Sequence, residues 1–131
     1  VRTLSYIESY ATKEHRKIEI KPSDLVKNVG DIVVSRKNMG TSYHLSVVLD
    51  DTDQEITDVV RGNDLAEATQ IHVLLQSLLD LPTPAYHHHD LIRDETGKRL
   101  AKRDDARALA KYRAEGATPN DIRRMVGLPD A

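Results

Sequence analysis

A strand–helix–strand pattern between residues 55 and 92 constrains the fold of this chain more than any other feature. The segments EITDVVRG (55–62) and AYHHHDLI (85–92) are apolar and partly β-branched, which is typical of strands. An amphipathic helix separates them. Strands joined by such a crossover pair in parallel, so the pattern predicts an α/β fold with a parallel sheet. In such sheets, ligands bind at the carboxyl ends of the strands.

The predicted helix between these strands has clear end signals. Asp64 and Glu67 are three residues apart and form a cap-like pair at its start. Pro82 and Pro84 end it. The residues expected to face the core form one apolar stripe: Ile71, Leu74, Leu75, Leu78 and Leu79.

Other segments before this pattern are less distinct. SYIESYA (5–11) is compatible with a helix, and KIEIK (17–21) alternates like a short strand. DIVVSR (31–36) predicts a strand buried in the sheet. SYHLSVVLDD (42–51) fits either a strand, because of its valines, or a helix, because of its apolar spacing.

Two helices are predicted at the carboxyl end of the chain. The first is expected to begin at Asp104, to turn Leu109 and Tyr112 inward, and to end at Gly116. The second is expected to begin with Thr118 as its cap and to end at Gly127.

Composition narrows the class of protein. The chain has 131 residues, a formal net charge of -2 and 39% hydrophobic residues, which indicates a globular domain rather than a polycation. It contains no cysteine, so neither disulfides nor thiolate zinc sites form within it, and we expect a cytoplasmic location. No apolar run approaches the ~20 residues of a membrane helix, so no membrane partner is expected.

The segment GKRLAKRDD (97–105) holds four cations: Lys98, Arg99, Lys102 and Arg103. A flexible loop of this kind can close over a nucleotide and neutralise the charge of a leaving pyrophosphate. The alternative is a solvated basic turn in front of a helix, since charge runs usually face water.

Tyr43 and Arg61 are candidate ligand-binding residues. Arg61 falls where the strand 55–61 ends, and a guanidinium at that edge can bind a carboxylate through two parallel hydrogen bonds. The tyrosine hydroxyl can add a third contact. The alternative is that Arg61 pairs with a nearby acid such as Asp64 while Tyr43 only packs.

The run His87, His88 and His89 suggests a metal site at first sight. Neighbouring residues of a strand point to opposite faces, so His87 and His89 share one side and His88 the other. Three convergent ligands cannot come from this run alone, and no metal site is predicted.

Taken in order, four segments resemble one family: SYHLSVVLDD (42–51), EITDVVRGNDL (55–65), PTPAYHHHDLI (82–92) and GKRLAKRD (97–104). They are similar to the second half of the catalytic domain of the class I glutamyl-tRNA synthetase family. The form RGNDL followed by YHHH looks most like its short paralogue branch, the glutamyl-queuosine tRNA(Asp) synthetases. The resemblance implies a partial Rossmann-like parallel sheet followed by C-terminal helices. It covers residues 29–131, whereas residues 1–28 match poorly and resemble at most the tail of an acceptor-binding insertion.

The resemblance also implies roles for particular residues. Tyr43 matches the tyrosine that lines the glutamate pocket, and Arg61 matches the carboxylate-binding arginine. The loop known in the family as KMSKS corresponds to Arg99, Leu100, Ala101, Lys102 and Arg103. Lys102 matches the lysine that contacts the ATP phosphates and is the expected catalytic group. Arg99 replaces a lysine and Ala101 a serine, and the backbone near Ile92 is expected beside the adenine.

The activity implied by the family has two steps. Glutamate is activated with ATP, with Mg²⁺ expected as the companion ion, and is then transferred to tRNA. In the short paralogue branch the acceptor is the queuosine base of tRNA(Asp). A zinc site is not expected in this chain.

The HIGH-like element of the family, which lies in its first half, is absent from this sequence. We therefore expect the chain alone not to make glutamyl-AMP, and we expect self-association or a missing N-terminal half to cover its sheet. The initial Val1 favours a fragment. The alternative function is a non-catalytic tRNA-binding or assembly module derived from a synthetase.

Overall fold

The computed structural model describes residues 3–10, 14–94, 96–100 and 108–131. Two units form: Val1–Asp90 and Leu91–Ala131. Within the described ranges, no helix combines the length and the apolar character needed to cross a membrane.

The first unit is built on a four-stranded sheet. Its strands are β1 (Leu4–Ser9), β2 (His15–Ile20), β5 (Asp58–Gly62) and β6 (Ala85–His89), in the order β2-β1-β6-β5. β6 runs parallel to both β1 and β5, which confirms the predicted parallel pairing. β1 and β2 form an antiparallel hairpin. The remaining strands, β3 (Ser35–Arg36) and β4 (Gly40–Thr41), pair with each other in a separate short ladder.

Five α-helices, one π-helical turn and one 3₁₀ turn accompany the strands in the described ranges. The α-helices are α1 (Pro22–Asp24), α2 (Tyr43–Asp53), α3 (Ala66–Leu78), α4 (Leu109–Ala114) and α5 (Pro119–Met125). A π-helical turn at Leu25–Val29 continues α1, and a 3₁₀ turn at Asn63–Leu65 leads into α3.

The predicted strand–helix–strand unit is β5–α3–β6, and α3 packs against β1. The core at this face of the sheet is a cluster of Tyr6, Ile20, Leu25, Val73 and Tyr86. The sequence 42–51 is helical, as α2, and Ser42 stands at its N-cap without a side-chain capping bond.

The predicted apolar stripe of α3 is only partly correct. Leu75 is buried, but Leu78 is 71% exposed and Leu79 is also exposed. The buried face consists instead of Thr69, His72, Val73, Leu75 and Gln76. Polar side chains occupy that face because they find hydrogen-bond partners beneath the helix.

Three other expectations are wrong. Residues 4–9 form strand β1 rather than a helix, because they pair with β2 and β6. Residues 31–36 are not a buried strand: Val33 is 50% exposed, and only Ser35–Arg36 enters a ladder. Leu109 is 63% exposed and does not turn inward. Asp104, the expected start of that helix, lies outside the described residues.

The second unit contains a tight hairpin and two helices. The Leu100 N–H donates to the Ile92 carbonyl over 3.0 Å, and the Asp94 carboxylate accepts from the Lys98 N–H over 2.9 Å. Gly116 has a φ of +91°, which only glycine adopts freely, and it follows α4 as predicted. α5 begins with the predicted cap at Thr118.

Candidate functional site

Polar side chains gather where the parallel strands β1, β5 and β6 end. Arg61 lies near the end of β5, His88 near the end of β6 and Glu8 near the end of β1. Because these strands are parallel, their carboxyl ends meet at one edge of the sheet. Strand alternation turns Arg61 toward α3 and leaves its neighbour Val60 on the outer face, where it is 70% exposed.

The guanidinium of Arg61 is held by three hydrogen bonds. Its Nη2 donates to Thr69 Oγ1 over 2.6 Å, and its Nη1 donates to His72 Nδ1 over 3.1 Å. Its Nε donates to His88 Nε2 over a longer 3.4 Å. The guanidinium carbon also lies 5.0 Å from the centre of the Tyr86 ring, within reach of a cation–π interaction.

These contacts determine which ring nitrogens carry protons. Arginine only donates hydrogen bonds, so His72 Nδ1 and His88 Nε2 must act as acceptors. A neutral imidazole has one such acceptor, and both rings are therefore uncharged in this arrangement. Burial, together with the charge of Arg61, lowers the pKa of His72 to about 4. Burial also lowers the pKa of His88.

His72 links Arg61 to the start of α2. His72 Nε2 lies 3.0 Å from His44 Nδ1, and since His72 Nδ1 already accepts, Nε2–H is the donor of this bond. The Tyr43 ring lies edge-on to His72, with centroids 5.8 Å apart. Tyr43 and Arg61, the two predicted glutamate-binding residues, therefore contact the same histidine.

Tyr43 also borders an open cavity of about 400 Å³. Its side chain is 52% exposed, so its ring is accessible to a ligand. Apolar side chains of Ile32, Val33 and Met39 form much of the remaining wall. The arginine that lines this cavity is Arg36, and Arg61 is not among its lining residues. A mixed apolar and aromatic wall with a few polar groups is typical of a small-molecule site.

Each side-chain contact of Arg61 within the described ranges goes to an uncharged group. A pair with Asp64 is therefore not what anchors this guanidinium. The charge of Arg61 also acts on the carboxyl group of Asp51. Burial raises the pKa of that carboxyl, and the charge of Arg61 partly opposes the rise.

The predicted ATP-binding residues fall in the second unit or outside the described ranges. Ile92 and Leu100 are joined by the hairpin hydrogen bond. The backbones of Arg99 and Arg93 pair in a single antiparallel β-bridge. Ile92 is 41% exposed. Three predicted site residues lie outside the described part of the chain: Ala101, Lys102 and Arg103.

The three consecutive histidines have the alternation that the sequence predicts. His88 is buried beside Arg61. On the other face of the strand, His87 Nε2 donates to Asp58 Oδ1 over 2.8 Å, and His87 Nδ1 lies 2.6 Å from Ser9 Oγ. His89 is exposed. Among the residues that the structure describes, no group of three or more His, Cys, Asp or Glu side chains is placed to hold a metal ion.

Sequence reasoning missed most of the residues that surround Arg61. Thr69, His72 and Gln76 recur at helical spacing on the buried face of α3, and this polar periodicity could have revealed them. Glu8 carried no such signal, because its strand was not predicted.

Comparison with known proteins decides the family. Residues 10–129 match the family described as tRNA synthetases class I (E and Q), catalytic domain. This chain belongs to that family.

Curated members of the family are close in sequence. The chain is 68% identical over 110 residues to the Glutamyl-Q tRNA(Asp) synthetase of Rhodobacter capsulatus, covering 84% of this chain and 40% of that protein. It is 42% identical over 114 residues to the Glutamyl-Q tRNA(Asp) synthetase of Albidiferax ferrireducens, covering 87% of this chain and 37% of that protein. The chain thus spans about two fifths of the length of these class I relatives.

Solved structures show the same fold. A glutamate tRNA ligase from Elizabethkingia meningosepticum, determined in complex with its amino acid, superposes with a TM-score of 0.68 at 23% identity. That alignment covers 96% of this chain and 27% of the ligase. The α/β arrangement is thus that of a partial class I synthetase catalytic domain.

Proposed function

We propose that this chain forms the carboxylate-binding side of a site that activates glutamate with ATP and transfers it to tRNA. The observation that carries this proposal is the state of Arg61. Among the described residues, Thr69, His72 and His88 use three of the five N–H groups of the guanidinium, so one N–H on each terminal nitrogen has no partner within that part of the chain. Donors on the two terminal nitrogens are the groups through which a guanidinium binds both oxygens of a carboxylate.

Tyr43 completes this side of the pocket. It contacts the same histidine as Arg61, and its ring is accessible from the adjoining cavity. We infer that its hydroxyl or ring edge contacts the bound glutamate. The guanidinium supplies the charge, and the tyrosine limits the space available to the substrate.

The second unit is proposed to bind the nucleotide. The cations of the loop, Lys102 above all, would neutralise the charge that develops on the departing pyrophosphate. The hairpin places the Ile92 and Leu100 backbones side by side, which supports a common role next to the nucleotide. Mg²⁺ commonly accompanies ATP; among the described residues, no group of three or more His, Cys, Asp or Glu side chains is placed to hold it.

We propose tRNA(Asp) as the acceptor RNA and its queuosine base as the acceptor group. The names of the relatives from Rhodobacter capsulatus and Albidiferax ferrireducens support this choice. The Elizabethkingia meningosepticum ligase, at 23% identity, supports the fold alone.

Calorimetric titration of the purified chain with L-glutamate tests the proposal. We expect weak binding, with a Kd on the order of 1 mM, because only part of a site is present. Arg61→Lys keeps the charge but loses the paired donors, and we expect it to raise the Kd about tenfold or more. The matched control is Arg16→Lys, since Arg16 is exposed on β2.

Two outcomes would contradict the proposal. One is equal binding of glutamate by the Arg61→Lys chain and the parent chain. The other is salt-dependent binding of tRNA without any binding of glutamate, which would favour the non-catalytic RNA-binding module.

A further inference from the structure

Glu8 is a buried carboxylate that the glutamate-binding residues do not explain. It lies on β1, is 5% exposed, and precedes the segment that matches the synthetase family. Its Oε1 lies 2.9 Å from Nδ1 of His88, which is 2% exposed. A buried carboxylate is costly unless polar partners surround it, and the hydroxyls of Tyr6 and Tyr10 interact with Glu8 in addition to His88.

His88 connects this carboxylate to Arg61. Its Nε2 accepts from Arg61 Nε, so the ring proton of the neutral histidine resides on Nδ1, the nitrogen that faces Glu8. The negative oxygen of Glu8 lies at hydrogen-bond distance from Nδ1, although Nδ1 does not meet the angular criteria of a hydrogen bond, and its charge favours a proton on that nitrogen. The guanidinium donates to Nε2, so both neighbours favour the same tautomer. The two charges therefore meet through one oriented imidazole rather than directly.

The backbone fixes the two ends of this connection. Glu8 and Tyr86 are partners in the β1–β6 ladder, and Arg61 and His88 are partners in the β6–β5 ladder. The line from Glu8 to Arg61 thus crosses three neighbouring strands at the carboxyl edge of the sheet. The ladder fixes the backbone positions of these residues, and a slip of one residue would turn their side chains to the other face of the sheet.

We propose that Glu8 is a positioning residue for Arg61, and that it acts by holding His88 in the Nδ1–H tautomer with Nε2 facing the guanidinium. The inference rests on the proposed role of Arg61 as the carboxylate anchor. It makes the β1–β2 hairpin a functional part of the site. Without Glu8, His88 can place its proton on Nε2, where it opposes the Arg61 Nε–H.

The first test needs no substitution. Nitrogen-15 NMR of the histidine rings in the purified chain distinguishes the two neutral tautomers. We expect His88 to carry its proton on Nδ1 and His72 to carry its proton on Nε2. A His88 ring protonated on Nε2 would overturn the proposal.

The second test is Glu8→Gln, with Glu19→Gln as the matched control because Glu19 is exposed on β2. We expect Glu8→Gln to give a mixture of His88 tautomers and to speed the solvent exchange of the Arg61 Nε–H. We expect the Kd for glutamate to rise about fivefold, as for the loss of one hydrogen bond. The control is expected to change none of these.

The direction of the affinity change separates this role from two simpler ones. A Glu8 that acts only as a negative charge near the ligand would repel it, so its removal would lower the Kd. A Glu8 with a purely structural role would leave both the Kd and the Arg61 signal unchanged. Either result would overturn the proposal.

These experiments distinguish a failure of the positioning role from a failure of the proposed function. If the parent chain binds no glutamate, the proposed function fails, and the His88 tautomer and the Arg61 exchange rate still test the positioning role. If Glu8→Gln does not fold, the tautomers of the parent chain and the shorter Glu8→Asp variant decide. Glu8→Asp is expected to weaken the contact to His88 and to speed Arg61 Nε–H exchange, and an unchanged exchange rate would count against the role.

Discussion

At the scale of single residues, Arg61 is held by hydrogen-bond acceptors rather than by a neighbouring carboxylate. Thr69, His72 and His88 orient the guanidinium without neutralising it. A direct ion pair would compete with an incoming carboxylate for the same donors. Neutral partners avoid this competition and leave the positive charge available to the ligand.

The buried His72 predicts a dependence of stability on pH. Its pKa is about 4 in the folded chain and about 6.5 when exposed, so between these values the unfolded state binds more protons. Stability is therefore expected to fall as pH falls from 6.5 to 4, by up to roughly 3 kcal/mol, and to change little further below 4 from this group.

Urea unfolding at several pH values measures this effect. His72→Asn keeps an acceptor near the position of Nδ1 and removes the titrating ring, so its stability is expected to depend less on pH over this window. His89→Asn is the control, because His89 is exposed. Equal pH dependence in the parent chain and His72→Asn would contradict the assignment.

Thr69 offers a second test at this scale. Its hydroxyl is fully buried and accepts from Arg61 Nη2 over 2.6 Å. Thr69→Val keeps the shape and removes the acceptor, which should cost about 1.5–3 kcal/mol of unfolding free energy because a charged donor loses its partner. Denaturant titration gives the value, and the exposed Thr83→Val serves as control. A loss no larger than that of the control would mean that the bond contributes little.

At the scale of elements, sequence patterns predicted the helices and strands whose boundaries depend on neighbouring residues. β5, α3 and β6 were predicted because strand composition, the prolines after α3 and the crossover length all agree. β1 was not predicted, and residues 31–36 were wrongly predicted to form a buried strand. A strand depends on pairing partners that are distant in sequence, which local patterns do not show. The inward face of α3 was predicted incorrectly for a related reason. Thr69 and His72 are buried because they hydrogen-bond to Arg61, which lies outside the helix and so does not affect its apolar pattern.

The capping of α5 was predicted correctly and can be tested. Thr118 Oγ1 accepts from the Asp121 N–H over 3.2 Å, and the Asp121 carboxylate accepts from the Thr118 N–H over 2.8 Å. Hydrogen bonding to Thr118 lowers the pKa of Asp121. Thr118→Ala is expected to destabilise this helix by about 1 kcal/mol. Amide exchange of residues 120–125 measures this loss. Thr118→Ser should retain protection, and unchanged protection in Thr118→Ala would contradict the cap.

At the scale of the whole molecule, the candidate residues are divided between two units. Tyr43 and Arg61 belong to the first, while Ile92, Arg99 and Leu100 belong to the second. Only the resemblance to the synthetase family gave these residues a binding role, because they lie far apart in the sequence. Composition and periodicity alone left each of them with a simpler alternative.

The sequence predicts whether the isolated chain can activate glutamate. We expect no glutamate-dependent exchange of pyrophosphate into ATP above background, because the HIGH-like element is absent from this sequence. Exchange is measured with labelled pyrophosphate, and a full-length Glutamyl-Q tRNA(Asp) synthetase such as that of Rhodobacter capsulatus is the positive control. Robust exchange by the chain alone would contradict this expectation.

The most direct test of the central claim is NMR of the Arg61 guanidinium during a titration with L-glutamate. If the two remaining N–H groups of Arg61 bind a carboxylate, their proton signals will move downfield and exchange more slowly as glutamate is added, while those of Arg16 will not change. If glutamate leaves the Arg61 signals unchanged at concentrations that shift other residues, Arg61 is not the carboxylate anchor of this chain.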